Sequence, residues 1–182
     1  MNDVLNSMKE FNCNKSEGPT FIPNKRIKFC INGISKFLFI LFNYIINFEM
    51  IPNELKLSRI TPLLKKGKLK SEINSYRSIS VQPNIYRIFE GILLSKLNPF
   101  VFLNNLMPKQ QYSYKRGINI SNQHIDLQNV IYNNLNDKRV KCVDIIFLDL
   151  SSAFDLVPHD MLLLKLNSMG ISGIFLKLIK VL

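Results

Sequence analysis

Apolar residues recur along the chain at two spacings, and each spacing predicts a different kind of element. A spacing of three or four residues predicts α-helices over 35–47, 85–97, 121–136 and 158–169, and again from Ser172 onward. Alternating or β-branched residues predict strands over 56–64, 75–81 and 140–148. Several helices with few strands predict an α+β fold in which helices pack on a small antiparallel sheet.

The first two predicted strands flank a basic segment, KKGKLK, at 65–70. Gly67 in its middle predicts a turn, and therefore a β-hairpin with a positively charged tip. Its cations could bind a triphosphate or a template backbone, because Arg offers a bidentate fork and Lys a point charge. They are Lys65, Lys66, Lys68, Lys70 and Arg77. For the lysines the alternative is an ordinary solvated loop. Arg77 lies inside an alternating strand, which favours a specific binding role for its side chain.

The N-terminal third contains one strongly apolar stretch between polar segments. Residues 1–12 are polar and predict a ragged start, and KSEGPTFIP at 15–23 is typical of a loop. The apolar stretch, 31–48, is interrupted by asparagine, serine and lysine and is short for a membrane span of about 20 residues. It therefore predicts a buried amphipathic helix.

Charge changes the picture more than size does. The 182 residues suffice for one sizeable domain or part of a larger one. Lys and Arg number 24 against 13 Asp and Glu, a net charge of +11. Such a surplus favours an anionic partner, with nucleic acid first and an acidic membrane surface second. Three scattered cysteines and two histidines argue against a disulfide framework or structural zinc and favour a reducing, intracellular setting.

A carboxylate ends the third predicted strand, in FLDLSSAFD at 147–155. Asp149 at such a strand end could bind Mg²⁺, with the carbonyl of Leu150 as a further oxygen ligand. One carboxylate is not enough for two-metal phosphoryl transfer, so partners would have to come from elsewhere. The alternative is a carboxylate that caps the following turn or pairs with a lysine. Phe154 could exclude a 2′-OH from a sugar, or it could be a core phenylalanine.

Aromatic and cationic residues also mix at 111–116. Such interleaving suits a single-stranded template, through base stacking and phosphate contacts. The residues are Gln111, Tyr112, Tyr114, Lys115 and Arg116. An ordinary surface loop is the alternative.

These segments together resemble the reverse transcriptases of non-LTR retrotransposons, the LINE-type and jockey-like elements. IFLDLSSAFDLVPHDMLLLKLNSMGI resembles the family's first catalytic motif, and RITPLLKKGKLKSEINSYRSISVQPNIYRIFEGIL resembles its finger segment. KSEGPTFIP resembles the motif KSPGPDGIP, and QQYSYKRGINIS resembles QxGFRxGRST. The four follow the family's order from about Lys15 to Leu182.

The resemblance implies a role for each candidate residue. It implies that Asp149 is a catalytic metal ligand with the carbonyl of Leu150, that Phe154 discriminates the sugar, and that Lys65 and Arg77 contact the incoming dNTP. It also implies Mg²⁺, an RNA template and a DNA primer as partners. Template contacts would come from Lys66, Lys68, Gln111, Tyr114, Lys115 and Arg116. The expected division is a ragged 1–14, fingers over about 15–138 and the start of a palm over about 139–182.

The chain also departs from the family pattern. Glu17, Ser78 and Ser113 replace a proline, a proline and a glycine of the motifs, and no (F/Y)-A-D-D box supplies further carboxylates. We therefore expect a truncated reverse transcriptase domain without polymerase activity of its own, which primer extension would test. The alternatives are a basic nucleic-acid-binding remnant, a remnant that does not fold stably and, least favoured, a membrane-surface protein. We expect no membrane or disulfide partner, an intracellular location and, from the resemblance, action in the nucleus.

Overall fold

The computed structural model describes residues 1–12, 16–19, 22–115, 117–150 and 153–182. Within them the chain forms eight α-helices and two β-strands. The helices are α1 (Asn2–Glu10), α2 (Asn24–Phe29), α3 (Ile31–Phe48), α4 (Asn53–Lys56), α5 (Asn84–Leu103), α6 (Ile120–Leu135), α7 (His159–Ser168) and α8 (Gly173–Val181). The strands are β1 (Arg59–Leu64) and β2 (Tyr76–Val81), and a 3₁₀ turn at Ile73–Ser75 precedes β2. The mixture confirms the α+β class.

The chain divides into two compact units. The first comprises Met1–Pro99 and Leu163–Leu182, and the second comprises Phe100–Leu162. The boundary in α5 falls after Pro99, which lies inside the helix. Proline has no N–H, so the carbonyl of Ser95 lacks the helical donor that another residue at position 99 would supply.

Helices build the core of the first unit. Phe42 of α3 and Phe89 of α5 pack with ring centroids 5.1 Å apart at an angle of 38°. Aromatic pairs at this separation add to the stability that burial of their surface supplies. The buried apolar set is Val4, Met8, Phe11, Ile27, Leu38, Phe42, Ile45, Ile51, Leu55, Tyr86, Ile88, Phe89 and Leu178.

The expected ragged N-terminus is wrong, because α1 is an ordered part of this core. Val4 and Met8, four residues apart on one helical face, are buried in the hydrophobic cluster. Lys96 of α5 also forms an ion pair with Asp3 at 3.0 Å. The polar composition of the segment concealed the helix, since a narrow apolar stripe is enough to dock one turn of a helix on a core.

The basic β-hairpin is confirmed, with ends close to those predicted. β1 and β2 pair antiparallel from Arg59↔Val81 to Leu64↔Tyr76. The expectation that helices pack on this sheet is wrong for the described residues, because the four central residues of each strand are exposed. Ile60, Leu63 and Ile79 are among these exposed residues, so apolar side chains of the sheet are left uncovered by the described helices.

The helix α3 covers the apolar stretch at 31–48 and extends the predicted helix at both ends. Its buried residues include Leu38, Phe42 and Ile45, which agrees with an amphipathic helix. Its length and its mean hydropathy of 1.4 would also allow α3 to cross a membrane, and among the described residues no other helix meets this criterion. Glu49, with a left-handed φ of 52°, follows its last residue.

The second unit has no buried residue among those that the structure describes. Its longest helix, α6, begins with a capping box in which Asn119 accepts from the backbone of Ser121 and Asn122, and Asn122 accepts from the backbone of Asn119. The prediction that Ser121 caps this helix is therefore wrong by two residues. Asn, like Ser, is a preferred N-cap residue, so the sequence allowed either.

The predicted strand at 140–148 is also wrong. Residues 140–150 have no regular secondary structure, and Phe147 and Leu148 are 83% and 91% exposed. A strand needs a neighbour to accept and donate its main-chain hydrogen bonds, and no described strand pairs with this segment. The two helices that follow, α7 and α8, are confirmed, and Gly170 between them has the φ of 89° expected of a helix-ending glycine.

Candidate functional site

The turn between β1 and β2 presents four lysines. Lys66, Lys68 and Lys70 are exposed, and Lys65 is half-buried. Gly67 has a φ of 76°, a left-handed conformation that favours glycine in such a turn. The lysines lie in the connection between the strands, where the Lys68 N–H donates to the Lys65 carbonyl at 3.1 Å.

Lys65 and Arg77 belong to the same face of the hairpin. Leu63 lies directly opposite Arg77 in the strand register, and the Lys65 N–H donates to the Ser75 carbonyl at 2.8 Å, which extends the ladder. Strand side chains alternate, so position 65 shares a face with position 63 and hence with Arg77. The Lys65 ammonium also donates to the Asn74 carbonyl at 2.9 Å. The hairpin therefore places on one face two cations that are twelve positions apart in the sequence.

A loop at 16–22 is held at the base of this hairpin. Arg59 of β1 donates to the Glu17 carbonyl at 2.6 Å, Arg87 of α5 donates to the Ser16 carbonyl at 3.1 Å, and Asn84 donates to the Ile22 carbonyl. Thr20 and Phe21 lie outside the described residues. Sequence reasoning missed Arg59, Asn84 and Arg87 as positioning residues. Arg59 shares the alternating context that drew attention to Arg77, and that context could have indicated it.

Gly18 makes the contact between this loop and the start of α5 possible. A Cβ at position 18 would lie 2.3 Å from the Gln82 carbonyl oxygen and 2.8 Å from Pro83 Cα. Both neighbours are main-chain atoms and cannot rotate away. The glycine of the KSEGPTFIP segment is therefore required by close packing of one backbone on another.

Arg87 and Glu90 line a groove of about 950 Å³ between α1, α5 and α8. Arg87 lies over the Phe11 ring, 4.9 Å from its centroid, which is a cation–π arrangement. Burial raises the pKa of the Glu90 carboxyl, although a hydrogen bond from Gln82 and the charge of Arg87 oppose the shift. Burial, and then the charge of Glu90, raise the pKa of Tyr86 to about 12. The groove contains none of the site residues predicted from the sequence.

The predicted template segment forms a loop in the second unit, before α6. Tyr112 donates to the Asp126 carboxylate, and this hydrogen bond raises the pKa of the Tyr112 phenol. The Lys115 ammonium donates to the Pro108 carbonyl, and Gln111 donates to the Ser113 carbonyl at 3.4 Å. Tyr114 is 86% exposed and has a left-handed φ of 61°. Arg116 lies outside the described residues.

A shallow cavity with a volume of about 330 Å³ adjoins this loop. Tyr112 and Tyr114 line one part of it and the capping residue Asn119 another; its full lining is Tyr112, Ser113, Tyr114, Ile118, Asn119, Ile120 and Gln123. Aromatic rings beside amide and hydroxyl groups suit the flat face and polar edges of a nucleobase.

Asp149, Leu150 and Phe154 lie in the second unit, and all three are exposed. The segment that holds Asp149 has no regular secondary structure, and Ser151 and Ser152 lie outside the described residues. No group of three His, Cys, Asp or Glu side chains that could bind a metal occurs among the described residues. One carboxylate and one carbonyl would supply only part of the ligand set of Mg²⁺, and waters or substrate phosphates would have to complete it.

Comparison with known proteins gives relatives of one kind. Residues 63–181 match the family described as "Reverse transcriptase (RNA-dependent DNA polymerase)". Similar proteins in Drosophila melanogaster are "Probable RNA-directed DNA polymerase from transposon BS", 25% identical over 92% of the chain, and "RNA-directed DNA polymerase from mobile element jockey", 26% identical over 91%. The "Probable RNA-directed DNA polymerase from transposon X-element" of the same species is 28% identical over 85% of the chain.

The chain spans only 17 to 18% of the length of these three relatives. The family match covers the last two residues of β1, the turn and β2. It also covers the loop before α6 and the segment around Asp149. The relatives' names all describe polymerases of transposable elements, as the motif resemblance predicted. The chain belongs to the reverse transcriptase (RNA-dependent DNA polymerase) family, with relatives among the non-LTR retrotransposons.

Proposed function

We propose that this chain supplies nucleotide-binding and template-binding surfaces of an RNA-directed DNA polymerase from a jockey-like non-LTR retrotransposon. The observation that carries the proposal is the hairpin, which presents Lys65 and Arg77 on one face and three exposed lysines at its tip. Family membership supplies the reaction class, and the hairpin supplies a surface suited to polyphosphate.

The hairpin is suited to bind the triphosphate of an incoming dNTP. Arg77 offers a planar fork for two phosphate oxygens, and Lys65 offers a point charge on the same face. The loop held by Arg59, Asn84 and Arg87 braces the hairpin base, which reduces the entropy lost when a ligand orders the tip. Lys66 and Lys68 would then contact the template backbone.

The loop before α6 is suited to bind a single-stranded template. The exposed ring of Tyr114 can stack on a base, while Gln111 and Lys115 reach polar edges and phosphate. Arg116 belongs to the proposal by its place in the motif alone.

The role of Asp149 in this proposal is limited. Divalent-metal chemistry belongs to the family, and Asp149 with the Leu150 carbonyl would supply only part of a ligand set. Phe154 as the sugar-selecting residue rests on the motif resemblance. The division into fingers over about 15–138 and the start of a palm over about 139–182, the lack of polymerase activity in this chain, and action in the nucleus all stay predictions.

Substitution of Lys65 or Arg77 by alanine tests the proposal directly. Each loses a charge-assisted contact to phosphate, so we expect dNTP affinity to fall about tenfold or more. The measurement is equilibrium binding of a fluorescent dNTP at low salt. Lys9→Ala on α1 removes the same charge from an exposed position and is the matched control. Equal affinities in all four proteins would refute the assignment of this surface.

A further inference from the structure

The helix α3 has a second apolar face that nothing in the described structure covers. Phe37, Ile40, Tyr44 and Phe48 are exposed by 73%, 66%, 45% and 64%. At 100° per residue these four positions fall within an arc of about 80°, well separated from the buried face of Leu38, Phe42 and Ile45. Tyr44 and Phe48 also contact each other, with ring centroids 4.6 Å apart. We call these four residues the α3 stripe.

The size of the α3 stripe favours a protein partner. An aromatic side chain buries roughly 150–250 Å² when fully covered. At their observed exposures the four side chains offer on the order of 500 Å². Two copies of the stripe would bury about 1,000 Å², the lower limit of a specific interface.

The polar residues around the stripe argue against a lipid surface. Interfacial helices carry several lysines or arginines beside the apolar face, which attract anionic headgroups. On α3 the one cation is Lys36, and the other flanking polar residues are Asn32, Asn43 and Asn47. Leu38, Phe42 and Ile45 are also committed to the core of the first unit, which prevents lipid from surrounding the helix.

The stripe is complementary to itself when two copies run antiparallel. With the two-fold axis at its midpoint, Phe37 of one copy lies opposite Phe48 of the other, and Ile40 meets Tyr44. The same register brings Lys36 opposite Glu49 at both ends. A parallel pair would instead place Lys36 against Lys36. Lys36 has no ion pair among the described residues, whereas Glu49 already pairs with Lys177 at 2.8 Å and could bridge both cations.

We propose that a second copy of this chain docks on the α3 stripe and forms an antiparallel, two-fold symmetric dimer. The interface is small and lacks buried hydrogen bonds, so the dimer is weak, with a dissociation constant of roughly micromolar order. This inference does not depend on the proposed polymerase role, because the stripe and the basic hairpin share no residue.

Sedimentation velocity of the full chain between about 1 and 100 μM tests the proposal. We expect a concentration-dependent shift from the 21.1 kDa monomer to the dimer. Ile40→Lys should weaken association at least tenfold, since it places a charge at the centre of the stripe. Ile73→Lys is the matched control, because Ile73 is 91% exposed and lies outside the stripe. Circular dichroism of each variant confirms that the helices remain folded.

The register has its own test. In a background with the three native cysteines replaced by serine, Lys36→Cys combined with Glu49→Cys should form a cross-linked dimer under mild oxidation, because these positions face each other at the ends of the stripe. Lys36→Cys combined with Ile73→Cys should not. A monomer at every concentration overturns the proposal, as does a dimer unaffected by Ile40→Lys. Binding to vesicles of anionic phospholipid that Ile40→Lys abolishes would assign the stripe to a membrane surface instead.

Discussion

At the base of the hairpin, three side chains hold one loop by its carbonyl oxygens. Arg59 belongs to β1, whereas Asn84 and Arg87 both belong to α5. They donate to the main-chain carbonyls of Glu17, Ile22 and Ser16, respectively. Main-chain acceptors carry no side-chain signature. The strand context could indicate Arg59 as a donor, but it could not predict the carbonyls that the three side chains contact. The glycine that lets the loop approach, Gly18, did stand out in the sequence, although only as a loop residue.

Gly18→Ala should destabilise the first unit by roughly 1–3 kcal/mol, the usual cost of forcing a methyl group into filled space. The Cβ would collide with the main chain of Gln82 and Pro83, which cannot move without disturbing α5. Urea unfolding at a concentration that keeps the chain monomeric measures the loss. Gly33→Ala is the control, because nothing lies within 4 Å of its Cβ and alanine favours a helix. Equal stability of the two variants would contradict the packing argument.

Glu90 makes the stability of the first unit depend on pH. Its pKa is raised in the folded protein, so folding favours the protonated carboxyl, and that contribution is lost as the pH rises through the raised pKa. We therefore expect Glu90→Gln to have a higher Tm than the wild type at pH 7 and a similar Tm near pH 4.

Thermal unfolding of both proteins at the two pH values measures this difference. Glu10→Gln, which removes an exposed carboxylate from the same groove, serves as the control. A Tm difference between wild type and Glu90→Gln that is the same at pH 4 and pH 7 would show that the carboxyl does not titrate as described.

Elements that depend on residues close by in the sequence were predictable. Elements that depend on packing or pairing with distant residues were not. The hairpin and α5 follow from alternation, Gly67 and Pro83, all of which act within a few residues. The segment at 140–150 has the composition of a buried strand, yet a strand also needs a partner, and composition does not say whether one is present. The helix α1 shows the opposite case, since a polar segment became ordered because Val4 and Met8 fit a distant core.

Substitutions at the start of α6 can show whether Asn119 or Ser121 caps the helix. Asn119→Ala should remove the two hydrogen bonds that the Asn119 side chain accepts and cost about 0.5–2 kcal/mol of local stability. With no buried residue to hold it, α6 should then fray, and its amide protons should exchange faster with solvent. Hydrogen exchange over 121–135 measures the change. Ser121→Ala should have little effect on exchange. A larger effect for Ser121→Ala than for Asn119→Ala would show that Ser121 caps the helix, as the sequence predicted.

At the scale of the whole molecule, the net charge of +11 predicted the type of partner but not where it binds. The segment KKGKLK showed four of the lysines together, and the strand register adds Arg77 on the same face as Lys65. The predicted catalytic residue fared differently. Asp149 was found by motif, and the described residues contain no group of three His, Cys, Asp or Glu side chains that could supply a full set of metal ligands. Further metal ligands would have to come from residues remote in sequence, and the motif around Asp149 does not identify them.

Binding of single-stranded RNA should therefore weaken steeply with salt. Each phosphate contact contributes a slope of about −0.7 to the log–log plot of affinity against salt for single strands. A combined Lys66→Ala and Lys68→Ala variant should lower the magnitude of that slope by about 1.4. Fluorescence anisotropy between about 50 and 200 mM salt measures the slope for the wild type and for the variant. An unchanged slope would place the RNA on another surface.

The helix α8 closes a core that begins with α1, and this has a consequence for how the protein is made. Leu178 is buried with Phe42 and Phe89, and the Tyr86 hydroxyl donates to the Leu182 carbonyl at 3.4 Å. Ribosomes add about 5–20 residues per second, so the first unit waits roughly 4–16 s between residue 99 and residue 178. During that interval its unfinished apolar surface faces the exit of the ribosome, where a nascent-chain chaperone would protect it.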